Sequence, residues 1–340
     1  MQGISIILCS HNGESRLPRC LAHLRSQAPT RLPWELVLVD NASTDRTIET
    51  AIACWDGMSI PLRVVSEQRL GLQWARERGL KEAKYDFLGF VDDDNWIASN
   101  WVSIAQDTLA SDSSLGAVGS VCEPCFEIPE PEWFRDYHSI YAIVTDTDLT
   151  RCLSPPEYLQ GAGLCVRKEA WTELIRRGFS SLLSGRTGTK LAGGDDTELT
   201  RAIRIAGWKL KIEPRLRLQH FMPARRLSWE YLRQLERGYA ESQVLLDAYS
   251  AQNLGKSGLK PWLGHLWWCQ IGRSLIGLIT RPRAVFAAAA SQAESRRDVI
   301  EVERLFGRAI GMFRLRGRYG RVRRYVKRAP WRRELSDYVS

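Results

Sequence analysis

The N-terminal part of the chain alternates short apolar runs with longer amphipathic segments. The runs at 4–9, 35–40, 62–66 and 87–92 are apolar or β-branched and end in polar or turn residues, which predicts strands. The segments at 15–27, 45–55 and 70–84 have the length and spacing of helices, with Ser43 or Thr44 as the N-cap of the second. This order predicts an α/β fold with a mostly parallel, twisted, Rossmann-like sheet flanked by helices.

Beyond residue 100 the pattern is mixed. We predict strands at 115–121 and 158–167, separated by a stretch rich in Pro, Trp and Tyr. A helix at 196–206, strand-like segments at 209–219 and one long amphipathic helix at 228–249 follow. We therefore expect a large α/β domain over 1–225 and a helical, Trp-rich and basic C-terminal region over 226–340.

The charge of the chain is concentrated at its C-terminal end. Residues 301–340 hold twelve Lys and Arg against four Asp and Glu, so +8 of the formal net charge of +9 lies there. Such a cluster favours local contact with a polyanion, for which anionic lipid headgroups and nucleic acid both qualify. Because no recognisable nucleic-acid-binding module surrounds it, nucleic acid is not expected.

The segment 261–279 is apolar and Trp-rich, but His265, Gln270 and Arg273 interrupt it, so it is a poor membrane span. Two alternatives stay open. The segment is an interfacial helix with Trp262, Trp267 and Trp268 at headgroup depth, or it packs as a helical subdomain on the α/β domain or on a second copy of the chain.

The N-terminus and the cysteines bear on the cellular compartment. The first residues lack the basic region, the long apolar stretch and the small-residue cleavage site of a secretion signal, so we expect no export. The eight cysteines lie mostly in apolar runs, which favours a reduced cytosolic compartment. Cys122 and Cys125 form a lone Cys-x-x-Cys, which is weak evidence for zinc without a second ligand pair.

Three consecutive carboxylates, Asp92, Asp93 and Asp94, follow the apolar run at 87–92. Polar residues at 10–12 and 40–45 follow two other predicted strands, and ligands bind beyond the carboxyl ends of parallel strands. A divalent cation relieves the repulsion between such carboxylates, and Mg²⁺ or Mn²⁺ held by one or two of them commonly also binds substrate phosphates. The alternative is a solvated acidic turn.

Four segments carry a family resemblance, and they read SIILCSHN at 5–12, VDNASTD at 39–45, VDDD at 91–94 and GGDDTEL at 193–199. In this order and spacing the chain resembles the family 2 glycosyltransferases over about 3–240. The resemblance implies a GT-A fold, with 1–225 as the catalytic domain and the stretch between 121 and 158 on the acceptor side. It also implies an inverting reaction. The Gln-x-x-Arg-Trp element of processive members is absent, which favours addition of a single sugar.

The resemblance also implies roles for individual residues. Asp40 matches the position that contacts the nucleobase, and the Gly-Glu-Asp element that carries the catalytic base reads Gly194-Asp195-Asp196. Asp196 is thus the expected base, with Asp195 as the alternative. The expected nucleotide-sugar contacts are Ser10, Asn12, Asp40, Ser43, Arg76, Asp92 and Asp93, and the expected metal ligands are Asp92, Asp94 and His220. Arg237 is a further candidate for a phosphate contact.

The sequence thus predicts transfer of one sugar from a nucleotide-diphosphate sugar, UDP by analogy, with Mn²⁺ or Mg²⁺ as cofactor. The acceptor is expected to be a hydroxyl of a glycan, a lipid-linked saccharide or a polysaccharide precursor at the cytoplasmic membrane face. One rival is a sugar nucleotidylyltransferase, but the segment at 9–13 is not the Gly-rich basic phosphate loop that it requires. The other rival is an inactive membrane-associated scaffold that keeps the fold.

Overall fold

The N-terminal half of the protein follows the predicted alternation of strands and helices. The computed structural model describes residues 1–146, 149, 157–183, 193–250, 266–290 and 294–332, without the side chain of residue 250. Four parallel strands lie side by side in the order β3-β2-β1-β4, namely β1 (Ile4–Ser10), β2 (Trp34–Asp40), β3 (Leu62–Ser66) and β4 (Phe87–Asp92). They are connected by helices α1 (Leu17–Arg25), α2 (Thr47–Trp55) and α3 (Leu72–Glu82). Every residue of β1 and β2 is buried, as expected for strands covered on both faces.

The start of α2 differs from the prediction. The helix begins at Thr47 rather than near residue 45. The side chain of Asp45 accepts a hydrogen bond from the Thr47 N–H at 3.1 Å, so Asp45 lies outside the helix and satisfies one of its first donors. Neither Ser43 nor Thr44 is the N-cap.

The other half of the sheet is mixed. Its strands are β5 (Asn95–Ile97), β6 (Leu115–Phe126), β7 (Cys165–Arg167) and β8 (Lys209–Met222). The described strands form one sheet in the order β3-β2-β1-β4-β7-β6-β8-β5, with β7 antiparallel to β4 and β6, β8 parallel to β6, and β5 antiparallel to β8. Because β8 extends to Met222, beyond the predicted end at 219, it places His220 opposite Asn95 and beside the acidic cluster.

The strand predicted at 158–167 is wrong over its first seven residues, since β7 begins at Cys165. The chain turns between Gly161 and Leu164, where the Leu164 N–H donates to the Gly161 carbonyl. Gly163 has a left-handed φ of 64°, which interrupts an extended conformation. The remaining elements of this half are α4 (Trp101–Ser111), a 3₁₀ helix (Phe134–Tyr141), α5 (Lys168–Arg176), α6 (Asp195–Ile205) and a second 3₁₀ helix (Ala224–Leu227).

The C-terminal region is helical, as predicted. It contains α7 (Trp229–Ser250), α8 (Trp267–Ile279), α9 (Pro282–Ala289), α10 (Arg297–Leu315), a short 3₁₀ helix (Arg316–Arg318) and α11 (Tyr319–Lys327). Helices α7 and α10 approach closely at Gly307, where a Cβ would lie 2.2 Å from the Arg237 carbonyl oxygen. Trp262 and His265 lie outside the described residues.

This region shares its hydrophobic core with the α/β part of the chain. The ring of Trp331 is fully buried between Phe179 and Tyr249, with ring centroids 5.5 and 6.2 Å away. Trp229 and Leu232 of α7 belong to the core that also contains β1 and β2. The described C-terminal helices therefore pack directly on the sheet domain. The predicted boundary between a catalytic domain ending at residue 225 and a C-terminal region beginning at residue 226 stays a prediction.

Much of the basic charge in α10 is paired internally. Arg304, Arg308 and Arg314 form ion pairs with acidic residues of α7, namely Glu236, Asp247 and Glu241 respectively. The same part of the molecule exposes apolar surface. Of the fourteen exposed large hydrophobic side chains among the described residues, nine lie between 267 and 313, so this surface is concentrated in α8, α9 and α10. None of the helices within the described ranges is both long and apolar enough to span a bilayer.

Candidate active site

Two loops at the carboxyl ends of β1 and β2 hold each other in place. Ser43 Oγ accepts the N–H of Asn12 at 3.0 Å, and Asn12 Oδ1 accepts the N–H of Thr44 at 2.8 Å. Asn12 and Ala42 have left-handed φ values of 50° and 54°, so both loops turn sharply at this contact. Asn12 and Ser43 therefore hold the two loops together, and their direct contact with a nucleotide stays a prediction.

Asp40 lies at the end of β2, between Ser10 of β1 and Ser66 of β3. It is 6% exposed, and its Oδ1 has no hydrogen-bond partner within the part of the chain that the structure describes. Buried carboxylate oxygens are normally hydrogen-bonded, and a buried oxygen left without a hydrogen bond costs roughly 1–3 kcal/mol or more. This free acceptor at a strand end could bind an N–H group of a ligand.

Asp93 is occupied by other protein groups. Ser10 Oγ donates to its Oδ2 at 2.6 Å, while Arg16 donates from Nε to Oδ1 at 2.8 Å and from Nη2 to Oδ2 at 2.9 Å. This bidentate geometry gives a strong charge-assisted pair, and the Asp93 hydrogen bond raises the pKa of Arg16. Asp93 thus fixes Ser10, with both of its own oxygens already engaged. No motif in the sequence distinguishes Arg16 from the other arginines.

Asp94 and His220 come together at the junction of β4, β5 and β8. Asp94 Oδ2 lies 3.5 Å from His220 Nε2 and 3.0 Å from Nη1 of Arg226. His220 Nδ1 lies 3.1 Å from the Tyr141 carbonyl oxygen, and Nε2 lies 3.1 Å from Arg226 Nη1. These partners assign the proton to Nδ1 and leave the lone pair on Nε2, which is the arrangement of a metal-ligating imidazole.

These residues fit a divalent cation only in part. Within the described ranges, no three His, Cys, Asp or Glu side chains converge closely enough to hold a metal by themselves. Asp94 and His220 can supply two ligands, and Mg²⁺ and Mn²⁺ commonly take the others from substrate phosphates and water. Arg226 places a positive charge against both residues. No sequence motif distinguishes it from Arg225 beside it.

Arg76 connects the acidic cluster after β4 with the start of α6. It is 14% exposed at its side chain, with Nη1 2.8 Å from Asp195 Oδ2 and Nη2 3.7 Å from Asp92 Oδ1. Burial alone would lower the pKa of Arg76, but the charges of Asp195, Asp92 and Asp196 raise it overall. Burial raises the pKa of Asp92, an effect that Arg76 opposes. Arg76 thereby balances carboxylates from two distant parts of the sequence.

The two aspartates at the start of α6 have different environments. Gly194, in the left-handed region at φ 103°, ends the preceding loop, and α6 begins at Asp195. Asp195 pairs with Arg76, whereas Asp196 Oδ1 accepts the N–H of Thr197 at 2.7 Å. Burial raises the pKa of Asp196, and the charge of Asp195 raises it further. The ion pair of Asp195 with Arg76 and the burial of Asp196 favour Asp196 as the expected proton acceptor.

Gly161 completes this site, although no pattern in the sequence predicted it. A Cβ at Gly161 would lie 2.9 Å from Asp196 Oδ2 and 3.1 Å from Arg76 Nη2. Its backbone also donates a hydrogen bond to Asp196, which opposes the effect of burial on that pKa. Arg237, in contrast, pairs with Glu303 of α10. Its predicted phosphate contact stays a prediction.

Comparisons with known proteins bear on the family and the fold of the chain. The model of Glycosyl transferase family 2 matches residues 5–166. The chain is 24% identical over 261 residues to the putative polypeptide N-acetylgalactosaminyltransferase 13 of Drosophila melanogaster, an alignment that covers 71% of this chain and 45% of that protein. It is 23% identical over 271 residues to the succinoglycan biosynthesis protein ExoM of Rhizobium meliloti, covering 76% of this chain and 81% of that one. The chain thus spans less than half the length of the fruit-fly relative.

A solved structure shows the fold. The mannosyltransferase PcManGT from Pyrobaculum calidifontis, in complex with GDP-Man and Mn²⁺, aligns with a TM-score of 0.55 at 17% identity, covering 94% of this chain and 88% of that one. The likeness confirms the predicted GT-A type α/β fold with C-terminal helices.

Proposed function

Because the chain belongs to glycosyl transferase family 2 through residues 5–166, we propose that it transfers a single sugar from a nucleotide-diphosphate sugar to a hydroxyl group with inversion. The observation that carries this proposal is the ion pair between Arg76 and Asp195. It joins the acidic cluster after β4, where a diphosphate would be held, to the start of α6, where the expected base lies.

The reaction needs one proton acceptor and one leaving group. The acceptor oxygen attacks the anomeric carbon while Asp196 takes its proton, and the bond from that carbon to the diphosphate oxygen breaks with its electron pair on the nucleoside diphosphate. Asp195 keeps Arg76 between the base and Asp92. A Mn²⁺ or Mg²⁺ ion bound by Asp94 and His220, with Asp92 nearby, would stabilise the negative charge of the departing diphosphate.

Asp40 narrows the choice of nucleotide. Its unsatisfied Oδ1 accepts a hydrogen bond, so it suits a base that presents an imino N–H on its Watson–Crick edge. Uracil, thymine and guanine have such a group, whereas adenine and cytosine do not. The contact therefore allows UDP-, GDP- and dTDP-sugars, and among these we propose a UDP-sugar as donor by analogy with the family.

The C-terminal helices support a place at the cytoplasmic face of a membrane. On α8, the exposed side chains of Trp268, Leu275, Ile276 and Ile279 recur at helical spacing and share one face. Arg281 and Arg283, both exposed, follow directly. An apolar helix face bordered by arginines suits the surface of an anionic bilayer, which would bring a lipid-linked or polysaccharide precursor to the site.

The nucleotide proposal is tested by calorimetry with UDP, GDP, dTDP, CDP and ADP, each with and without Mn²⁺. We expect metal-dependent binding of UDP that is lost in Asp94→Ala and weakened at least tenfold in Asp40→Ala, while CDP and ADP do not bind. If none of these nucleotides binds, the transferase proposal fails and the inactive scaffold becomes the better explanation.

The membrane proposal is tested by sedimentation with vesicles of phosphatidylglycerol and phosphatidylcholine, using wild type and Ile276→Asp. Binding to the anionic vesicles that Ile276→Asp loses would support it. Equal sedimentation of wild type and variant, or none of wild type, would contradict it.

A further inference from the structure

A cavity of about 310 Å³ lies between the α/β part of the chain and the helices α7 and α10. Tyr158 and Gln160 line it from the segment before β7, Glu236, Tyr239 and Gln243 line it from α7, and Arg304 lines it from α10. Its volume is at the lower end of the range of small-molecule sites. The described C-terminal helices thus form a wall of a site-sized space, in addition to packing on the sheet domain.

The cavity is next to the expected base. Gln160 precedes Gly161, whose Cα is close enough to Asp196 that a Cβ there would lie 2.9 Å from Oδ2. Tyr239 hydrogen-bonds through its side chain to Thr197, the residue after Asp196, and to Tyr158. Asp196 is also among the charges that raise the pKa of both tyrosines. Asp196 does not itself line the cavity, so a ligand there would reach its carboxylate past Gly161 and Thr197, which adjoin the lining residues Gln160 and Tyr239.

The lining combines apolar and polar surfaces in a way that suits a sugar ring. Two tyrosine rings, with Ile140 and Ala240, provide apolar surface for the C–H faces of a ring. The amides of Gln160 and Gln243 can donate hydrogen bonds to hydroxyl groups and accept hydrogen bonds from them.

The charged residues of the lining are already paired. Arg304 lies 2.7 Å from Glu236, and Arg308 lies 2.8 Å from Asp247 of α7. Neither arginine of the described lining therefore offers an unpaired positive charge to a phosphate. The cavity suits a neutral ring better than a phosphorylated one.

From this geometry we propose that the cavity is the acceptor subsite and that it binds a neutral saccharide, with one hydroxyl directed at Asp196. The inference rests on the proposed function, because it takes Asp196 as the base. It also assigns a role to α7 and α10, namely recognition of the acceptor glycan. Gln243, one residue of the cavity wall, becomes a determinant of acceptor specificity.

The test is saturation-transfer difference NMR with cellobiose, maltose, lactose and N,N′-diacetylchitobiose as probes, in the presence of UDP and diamagnetic Mg²⁺. Gln243→Trp fills the cavity. Gln234→Trp, at an exposed position of the same helix, is the matched control. We expect a signal for at least one disaccharide in wild type and Gln234→Trp, and its loss in Gln243→Trp. Gln160→Ala, on the opposite wall of the cavity, should weaken the signal at least fivefold. This variant replaces Gln243→Trp as the test if Gln243→Trp does not fold.

Two results would overturn the proposal. If no probe gives a signal with wild type, the cavity does not bind neutral saccharides. If the signal persists in Gln243→Trp, the saccharide binds elsewhere. Calorimetry with UDP and Mn²⁺ on the same proteins separates this inference from the proposed function. Gln243→Trp should bind the nucleotide within about twofold of wild type. If the proposed function fails, wild type itself will not bind the nucleotide.

Discussion

Arg76 donates a hydrogen bond of 2.8 Å to Asp195, a residue 119 positions away in the sequence. The pair joins α3, from the parallel half of the sheet, to the first turn of α6. Because Asp195 is paired with Arg76, we propose that it positions this arginine and that its neighbour Asp196 accepts the proton.

The first prediction concerns this division. Asp196→Asn should lower the rate of UDP-sugar hydrolysis, with water as acceptor, by about 10²–10⁴-fold, the usual contribution of a general base. Asp195→Asn should lower it less, because the base remains. The rates are measured as UDP released from the UDP-sugar that wild type hydrolyses fastest. Equal losses in both variants, or a larger loss in Asp195→Asn, would reverse the assignment.

The pH dependence of the same reaction provides the second prediction. Burial and the charge of Asp195 raise the pKa of Asp196, and only the deprotonated form is a base, so the hydrolysis rate should fall as the pH drops through this raised pKa. Removing the neighbouring negative charge in Asp195→Asn should lower the pKa of Asp196 and move the acid limb of the profile to lower pH. The control is Asp107→Asn, at an exposed position of α4, which should leave the limb in place. A limb that moves to higher pH in Asp195→Asn would contradict the prediction.

Local patterns were enough to predict the strands and helices of the first ninety residues. In a parallel α/β arrangement the strands are continuous apolar runs. The candidate functional residues lie at their carboxyl ends, as Asp40 and Asp92 do. In the structure Asp94 and His220 lie together and Asp196 is the second residue of a helix, while their roles as metal ligands and base stay predictions.

The features that the sequence did not reveal depend on tertiary contacts. β5 has three residues and is stabilised by pairing with β8, so no periodicity signals it. Arg16 and Arg226 are ordinary arginines in a basic chain until the fold places them against Asp93 and Asp94. Gly161 is required because two side chains from other elements approach it, which residue types alone do not show.

The third prediction concerns the cation next to the expected metal ligands. Arg226 Nη1 lies 3.0 Å from Asp94 Oδ2. In the absence of nucleotide, its positive charge should therefore oppose the binding of a metal ion to Asp94. Arg226→Ala should therefore bind Mn²⁺ about tenfold or more tightly than wild type, measured by electron paramagnetic resonance of free Mn²⁺ without nucleotide. Arg225→Ala, at the exposed neighbouring position, should match wild type. Unchanged or weaker Mn²⁺ binding in Arg226→Ala would show that Arg226 does not compete for this site.

The fourth prediction concerns Gly161. In Gly161→Ala the new Cβ would lie 2.9 Å from Asp196 Oδ2, and both Asp196 and Arg76 must shift to accommodate it. Because a displacement of about 1 Å at a reacting group can cost roughly 10²-fold, we expect hydrolysis of the UDP-sugar to fall by about 10–100-fold. Calorimetry should show UDP and Mn²⁺ binding within about threefold of wild type. Gly272→Ala, where a Cβ meets no atom within 4 Å and φ, as at Gly161, lies outside the left-handed region, is the matched control for the loss of a glycine. Wild-type hydrolysis in Gly161→Ala would show that this close contact does not position the base.

The last prediction concerns the attachment of the C-terminal segment to the sheet domain. Trp331 is fully buried and packs against Phe179 and Tyr249, so Trp331→Ala leaves a cavity in the shared core. Such truncations cost about 3–5 kcal/mol, and we expect a loss of this size in the free energy of unfolding measured with urea. Trp268→Ala removes the same side chain from a position that is 53% exposed and should change the free energy by no more than about 0.5 kcal/mol. If Trp331→Ala costs as little as Trp268→Ala, the end of the chain does not stabilise the α/β core, and α7 and α10 are held beside Asp196 by their own contacts alone.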